Sequence, residues 1–190
     1  MNLNTSLKSV AVLFSSLLLT SCVVAVVAGA AAGMVYDKRG VTTMEADARL
    51  FHVIHKPLVS ELQFRDSRIV VTSFNRVVLL VGQTPTASLR VLAEKIAREA
   101  PGVKRVYDEV TIGNPIPLTV RTKDSWITSQ VRSNMLTKKG LESGSIRVVT
   151  ENSVVYLMGI VTSEQGILAV DVARRVNGVA KVVKIFQYIH

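Results

Sequence analysis

An internal repeat constrains this chain more than any other feature. Residues 69–82 read IVVTSFNRVVLLVG and residues 146–159 read IRVVTENSVVYLMG; at a shift of 77 positions, seven of the 14 residues are identical. After one deleted residue the match resumes at a shift of 76, laying LAEKIAREAPGVKRV from Leu92 over LAVDVARRVNGVAKV from Leu168. Upstream, Asp47, Leu50, Ile54 and Leu58 fall on Asp124, Ile127, Val131 and Met135. Self-similarity of helix, strand and turn signals together marks a duplicated unit. It divides the chain into two homologous domains, residues 45–113 and 122–190.

Each unit reads as helix, strand, strand, helix, strand. Apolar residues four apart, as in Ile127, Val131 and Met135, lie on one face of a first helix. Two β-branched runs follow in each unit, joined by the short polar turns Asn75-Arg76 and Asn152-Ser153. Leu92, Ala93, Ile96, Ala97 and Ala100 form the apolar stripe of a second helix in the first unit; Leu168, Ala169, Val172, Ala173 and Val176 form it in the second. Gly102 and Gly178 stand where a helix end favours positive φ. The fold class is α+β, with two helices packed on a three-stranded mixed sheet in each unit and the other sheet face left available for contact. After Gly113, Asn114-Pro115-Ile116-Pro117 opens a linker over residues 114–121 that is stiffened by two prolines. Pro57 is expected to kink or shorten the first helix of unit one, so the two units should differ most there.

The amino terminus places the chain in a compartment. Lys8 precedes an uncharged apolar run of about ten residues ending in Leu17-Leu18-Leu19, and Thr20-Ser21-Cys22 follows, which is the anatomy of a secretory signal. Leu19-Thr20-Ser21-Cys22 resembles the bacterial lipobox, whose cysteine is lipidated and becomes the first residue. This gives a signal peptide over residues 1–21 and a lipidated Cys22 followed by an Ala/Gly-rich tether over residues 22–44. The valines after Cys22, where an inner-membrane lipoprotein carries Asp, imply the outer membrane. The alternative is an uncleaved span from Ser9 to Tyr36, with Gly29 and Gly33 as a helix-packing pair. Cys22 is the only cysteine, so no intrachain disulfide and no cysteine-based metal site can form.

Charge narrows the partners. The 23 basic and 14 acidic residues leave +9, which suits phospholipid head groups, nucleic acid or acidic proteins. Nucleic acid is not expected, because no aromatic RNP-type strand or GxxG loop is present. No catalytic residue, metal site or cofactor is expected either. His52 and His55 share a helix face but lack a cysteine or carboxylate cluster to complete a metal site, and no Ser-His-Asp order or phosphate-cradling Gly loop occurs.

The stretches Val78-Leu79-Leu80-Val81-Gly82-Gln83, Asp124-Ser125-Trp126-Ile127-Thr128, Thr150-Glu151-Asn152 and Tyr156-Leu157-Met158-Gly159 carry a family likeness. With the helix-strand-strand-helix-strand order, they make the chain resemble outer-membrane lipoproteins with two tandem BON domains, from the lipobox to the last strand. The chain departs from that family at its hairpins. Arg76 and Ser153 stand where a glycine is usual, so turns looser than type I′ are expected.

The resemblance implies a non-enzymatic lipoprotein facing the periplasm that binds anionic phospholipid through the first helix of the second domain. It further implies a role in envelope integrity at division sites. On a helical wheel Trp126 lies about 140° from the centre of the Ile127, Val131 and Met135 stripe, beside Gln130, Ser133 and Thr137. An indole there suits a bilayer interface, and Arg132, Lys138 and Lys139 are near enough to meet phosphates. Two bland readings stand beside this: Trp126 packing against the first domain or the linker, and Lys138-Lys139 as a solvated helix end. The alternative function is a protein-interaction adaptor, docking envelope or division-site proteins through exposed sheet faces or edges.

Overall fold

In a computed structural model, residues 39–189 are described, and the expected lipidation site Cys22 and signal peptide lie outside them. The elements are α1 (Val41–Ser60), β1 (Arg68–Phe74), β2 (Val77–Thr84), α2 (Ala87–Glu99) and β3 (Arg105–Ile112) in the first repeat. The second holds α3 (Leu118–Leu136), β4 (Ile146–Glu151), β5 (Val154–Val161), α4 (Ser163–Arg174) and β6 (Lys181–Tyr188). The order matches the sequence pattern in both halves. In each, the middle strand lies at the centre of a three-stranded sheet, antiparallel to the strand before it and parallel to the one after.

Local chemistry explains these elements. Thr86 Oγ1 accepts the Leu89 amide at the start of α2, and Thr162 with Gln165 forms a reciprocal capping box at the start of α4. Gly82 on β2 is dictated by close approach. A Cβ there would sit 1.9 Å from the Arg68 carbonyl oxygen, and one at the matching Gly159 would sit 2.8 Å from that of Ser145. Hence the repeat keeps a glycine in the middle of a central strand, where one normally weakens packing.

Several expectations change. Pro57 lies inside α1 but does not shorten it, since α1 has 20 residues and α3 has 19. The proline falls in the last turn, where it removes a single backbone donor, and the Glu61 amide still reaches the Pro57 carbonyl at 3.1 Å. The long helices also begin earlier than the apolar pattern does, at Val41 within the expected tether and at Leu118 within the expected linker. Pro117 serves as the N-cap of α3 with φ −66°, a position where its missing N–H costs nothing.

The hairpin turns are tight, not loose. Asn75 and Arg76 have φ of 51° and 63°, and Asn152 and Ser153 have 49° and 64°, the double positive φ of type I′ turns. A buried carboxylate on the first helix makes this possible without glycine. Asp47 accepts the Asn75 and Arg76 amides at 2.7 and 2.8 Å, and Asp124 accepts those of Asn152 and Ser153 at 2.7 and 2.8 Å. Left-handed backbone costs roughly 1–2 kcal/mol per non-glycine residue. Charge-assisted hydrogen bonds contribute about 1.5–3 kcal/mol each, so the carboxylate prevails.

The sheet face expected to be available for contact is covered, because the two sheets pack against each other. Phe74, Val77, Leu79 and Val81 of the first sheet meet Tyr156, Met158 and Ile185 of the second in a shared buried cluster. The layers therefore run helices, sheet, sheet, helices, with a separate helix–sheet core in each repeat. Polar contacts fix the seam. Arg68 Nη1 lies 2.6 Å from Glu151 Oε1, Gln83 Nε2 donates to the same carboxylate at 2.9 Å, and Asn75 Nδ2 donates to Gln187 at 2.7 Å. Gln83 also accepts the Ile116 amide at 3.0 Å, which ties the Pro-flanked connection to the seam. Among the described residues, the helix layers and sheet edges remain for partners.

Candidate functional site

The outward face of α3 gathers most of the candidate residues. Its inward face is set by Ile127, Val131 and Met135, all at most 1% exposed, and that anchoring turns Trp126 outward. Half of the Trp126 surface is open (50%). Gln130 is half-buried beside it, while Ser133, Thr137, Lys138 and Lys139 are exposed, the two lysines just past the helix end.

Arg132 is the exception. Its Nη2 donates to the Val148 carbonyl of edge strand β4 at 3.0 Å. The guanidinium therefore leans toward a cleft between β1 and β4 that it shares with Thr128 and Arg147. The structure brings Trp126, Gln130, Ser133 and Thr137 together on one face, adds Lys138 and Lys139 at its end, and sends Arg132 to another flank.

Two residues that the sequence reading does not single out complete the face. Leu118 and Leu136 are 72% and 75% exposed. They are 18 positions apart, five full turns, so they stand in line about 27 Å from each other and within about 80° of Trp126. That spacing was the available signal. The polar residues between them are partly self-satisfied, since the Thr122, Ser125 and Ser129 hydroxyls donate to the carbonyls of Leu118, Arg121 and Ser125, each at 3.0 Å. A hydroxyl folded back on its own helix demands less from its surroundings. Asp124 is the only acidic residue of α3, and it is buried on the opposite side against the β4–β5 turn. The face is thus free of negative charge, flanked by lysines, and studded with three exposed apolar side chains.

His52 and His55 pack against an aromatic ring. The Phe51 ring stacks on His55 with centroids 4.9 Å apart and meets His52 edge-on at 5.3 Å. Among the described residues no group of three or more His, Cys, Asp or Glu is placed to hold a metal ion. Among the same residues no helix is long and apolar enough to cross a membrane.

Comparison with known proteins agrees with this architecture. A family model described as BON domain matches residues 47–114 and 123–189. The chain is similar to a Haemophilus influenzae protein named Outer membrane lipoprotein DolP, 34% identical over 187 residues that cover 96% of this chain and 97% of that one. It is also 35% identical over 154 residues to a protein of Actinobacillus pleuropneumoniae named 21 kDa hemolysin, covering 80% of this chain and 79% of that protein.

Proposed function

The chain belongs to the BON domain family, and from that membership we propose that it is a non-enzymatic outer-membrane lipoprotein that recognises anionic phospholipid through α3. The lipidated Cys22 would hold it at the membrane, facing the periplasm, and its contact with the bilayer would support envelope integrity at division sites. The similarity to a named outer membrane lipoprotein over nearly the whole chain supports the location. The observation that carries the lipid reading is the half-open Trp126 on an acid-free helix face between Leu118 and Leu136. An indole settles at the level of lipid head groups, and a helix lying in the interface plane buries its apolar side chains there. The acyl chain and the helix face would each bind weakly and act together, since one lipid chain gives only marginal attachment.

Trp126 is the only tryptophan of the chain, so its own fluorescence tests the reading. On adding phosphatidylglycerol vesicles to the purified protein, the emission is expected to shift to the blue, with a smaller shift for phosphatidylcholine. Co-sedimentation of Trp126→Ala with the anionic vesicles should fall. An emission maximum that stays put with vesicle binding intact would remove α3 from the contact.

A further inference from the structure

We infer that the groove between α4 and the free edge of β6 takes up an extended, acidic peptide segment as an added strand. Among the described residues β6 is an outer strand, paired with β5 on one side only, so its other edge presents backbone groups without a strand partner there. Alongside it, two adjoining cavities of about 350 and 310 Å³ share Val170 and Arg174. Apolar surface frames them: Ile167 is 70% exposed and Tyr188 is 55% exposed. Arg174, Lys181 and Lys184 make the lining basic, while its one carboxylate, Asp171, is paired with Arg175 at 3.0 Å.

The first repeat shows what a closed version looks like. There Arg90 of α2 reaches across to β3, with Nε 2.7 Å from Asp108 Oδ2 and Nη2 donating to the Asp108 carbonyl at 3.2 Å. This strap ties helix to edge strand and occupies a backbone acceptor that an added strand would use. At the matching positions, 76 residues on, the second repeat has Gly166 and Lys184. Glycine has no side chain to reach across, and lysine replaces the carboxylate that would hold it.

A strand edge beside a helix, with apolar side pockets, is the geometry of strand addition, in which main-chain bonds give affinity and pockets select side chains. The lysines choose the partner. Facing a second copy of β6 they would repel, whereas acidic side chains directly opposite them attract. A lipid surface offers no backbone ladder to complete the edge.

The test uses the purified full chain in detergent micelles and a fluorescent peptide of about ten residues alternating valine and glutamate, the length of a long strand. Binding is expected to slow amide exchange across residues 182–186 and not along β3. Gly166→Arg combined with Lys184→Asp transplants the strap and should weaken binding about tenfold or more, the loss of one or two charge-assisted contacts. A Cβ at Gly166 would lie 3.2 Å from the Tyr188 ring, so Arg174→Glu with Lys184→Glu, which changes only charge, provides a second variant with the same expected loss. Trp126 emission on phosphatidylglycerol vesicles should be unaltered in both, which separates this groove from the lipid reading. Three results overturn the inference: peptide binding that leaves β6 exchange unchanged, β6 protection that rises with protein concentration without peptide, or vesicle binding that depends on Arg174 and Lys184 while the peptide does not bind.

Discussion

Where the first repeat places the Glu45–Arg49 ion pair on the outward face of its long helix, the second places Thr122 and Trp126 at the same two positions, 77 residues on. The same contrast recurs on the other helix, with Arg90 and Asp108 in one repeat and Gly166 and Lys184 in the other. Inside, by contrast, the two halves agree position for position in burying apolar side chains: Leu50, Ile54 and Leu58 against Ile127, Val131 and Met135. The duplicated core is constrained by packing, which punishes even a methylene, while outward faces are free to diverge. At the matched outward positions the first repeat carries ion pairs, where the second has an exposed indole on one helix and a glycine–lysine combination at the other.

The largest expected effect probes the carboxylates that hold the two hairpins. Asp47 does more than its counterpart, accepting the Ser73 hydroxyl at 2.9 Å and pairing with Arg39 at 2.8 Å, whose guanidinium stacks 4.1 Å over the Phe74 ring. In the second repeat Thr150 stands at the place of Ser73 and bonds Thr128 instead, at 2.7 Å. Asp47→Ala breaks a buried ion pair together with the turn and Ser73 bonds and should cost about 3–5 kcal/mol. Asp124→Ala loses two turn bonds without stranding a charge and should cost about 2–3 kcal/mol. Urea unfolding measures both. Equal losses would show that the Arg39 pairing adds nothing to the first repeat.

Next in size is the lysine pair at the end of α3. Each basic residue near an anionic surface contributes on the order of 1 kcal/mol. Lys138→Ala with Lys139→Ala should therefore weaken binding to phosphatidylglycerol vesicles by about 2 kcal/mol, roughly thirtyfold, with the deficit shrinking as salt rises. If the lysines only solvate the helix end, vesicle affinity will not move and thermal stability alone will fall slightly.

How much of this was legible in the sequence follows from the range of each interaction. The element order and the helix stripes come from local periodicity, and the duplication doubled the signal for both. The turn type did not, because the residue that permits it is 28 positions away from the turn on another element; the clue was a charged residue, Asp47 or Asp124, at the head of an apolar stripe. The seam was hidden for a related reason. Strands buried on both faces read as unbroken apolar runs, and the second repeat's Val154 to Met158 was such a run, yet nothing local said that its second cover would be the sister sheet. For the candidate site, the wheel sufficed to turn Trp126 outward. It could not tell that Arg132 would find the Val148 carbonyl, a contact decided by where β4 ends up.

A smaller effect separates the carboxylate's contribution from the backbone's. Arg76 and Ser153 have nearly equal φ, 63° and 64°, so glycine at either should relieve about 1 kcal/mol of left-handed strain, less the entropy it adds to the unfolded chain. Arg76→Gly and Ser153→Gly are therefore expected to raise the urea midpoint by similar, modest amounts. Ser153→Gly should also recover part of the loss in Asp124→Ala, because a glycine turn depends less on a carboxylate to hold it. A large difference between the two substitutions would mean that the turns, alike in φ, are strained unequally.

The smallest effect at neutral pH lies in the seam, where the central strands contribute unlike residues: Leu79 from the first repeat and, 77 positions on, Tyr156 from the second. Burial, reinforced by the nearby carboxylates of Glu109 and Glu151, pushes the Tyr156 phenol up from 10.0 to about 12. The sign follows from proton counting. Above pH 10.0 the unfolded chain gives up this proton while the folded chain keeps it, so unfolding gains on folding as pH rises. The stability associated with the neutral phenol is whole below pH 10.0 and is lost toward about 12. Stability should thus be level through neutrality with respect to this group and fall in that alkaline window, and Tyr156→Phe should remove that part of the fall. Were Tyr156→Phe to decline over the same window as the unmodified chain, the alkaline weakness would belong to the lysines and arginines of the surface and not to the asymmetric pair at the seam.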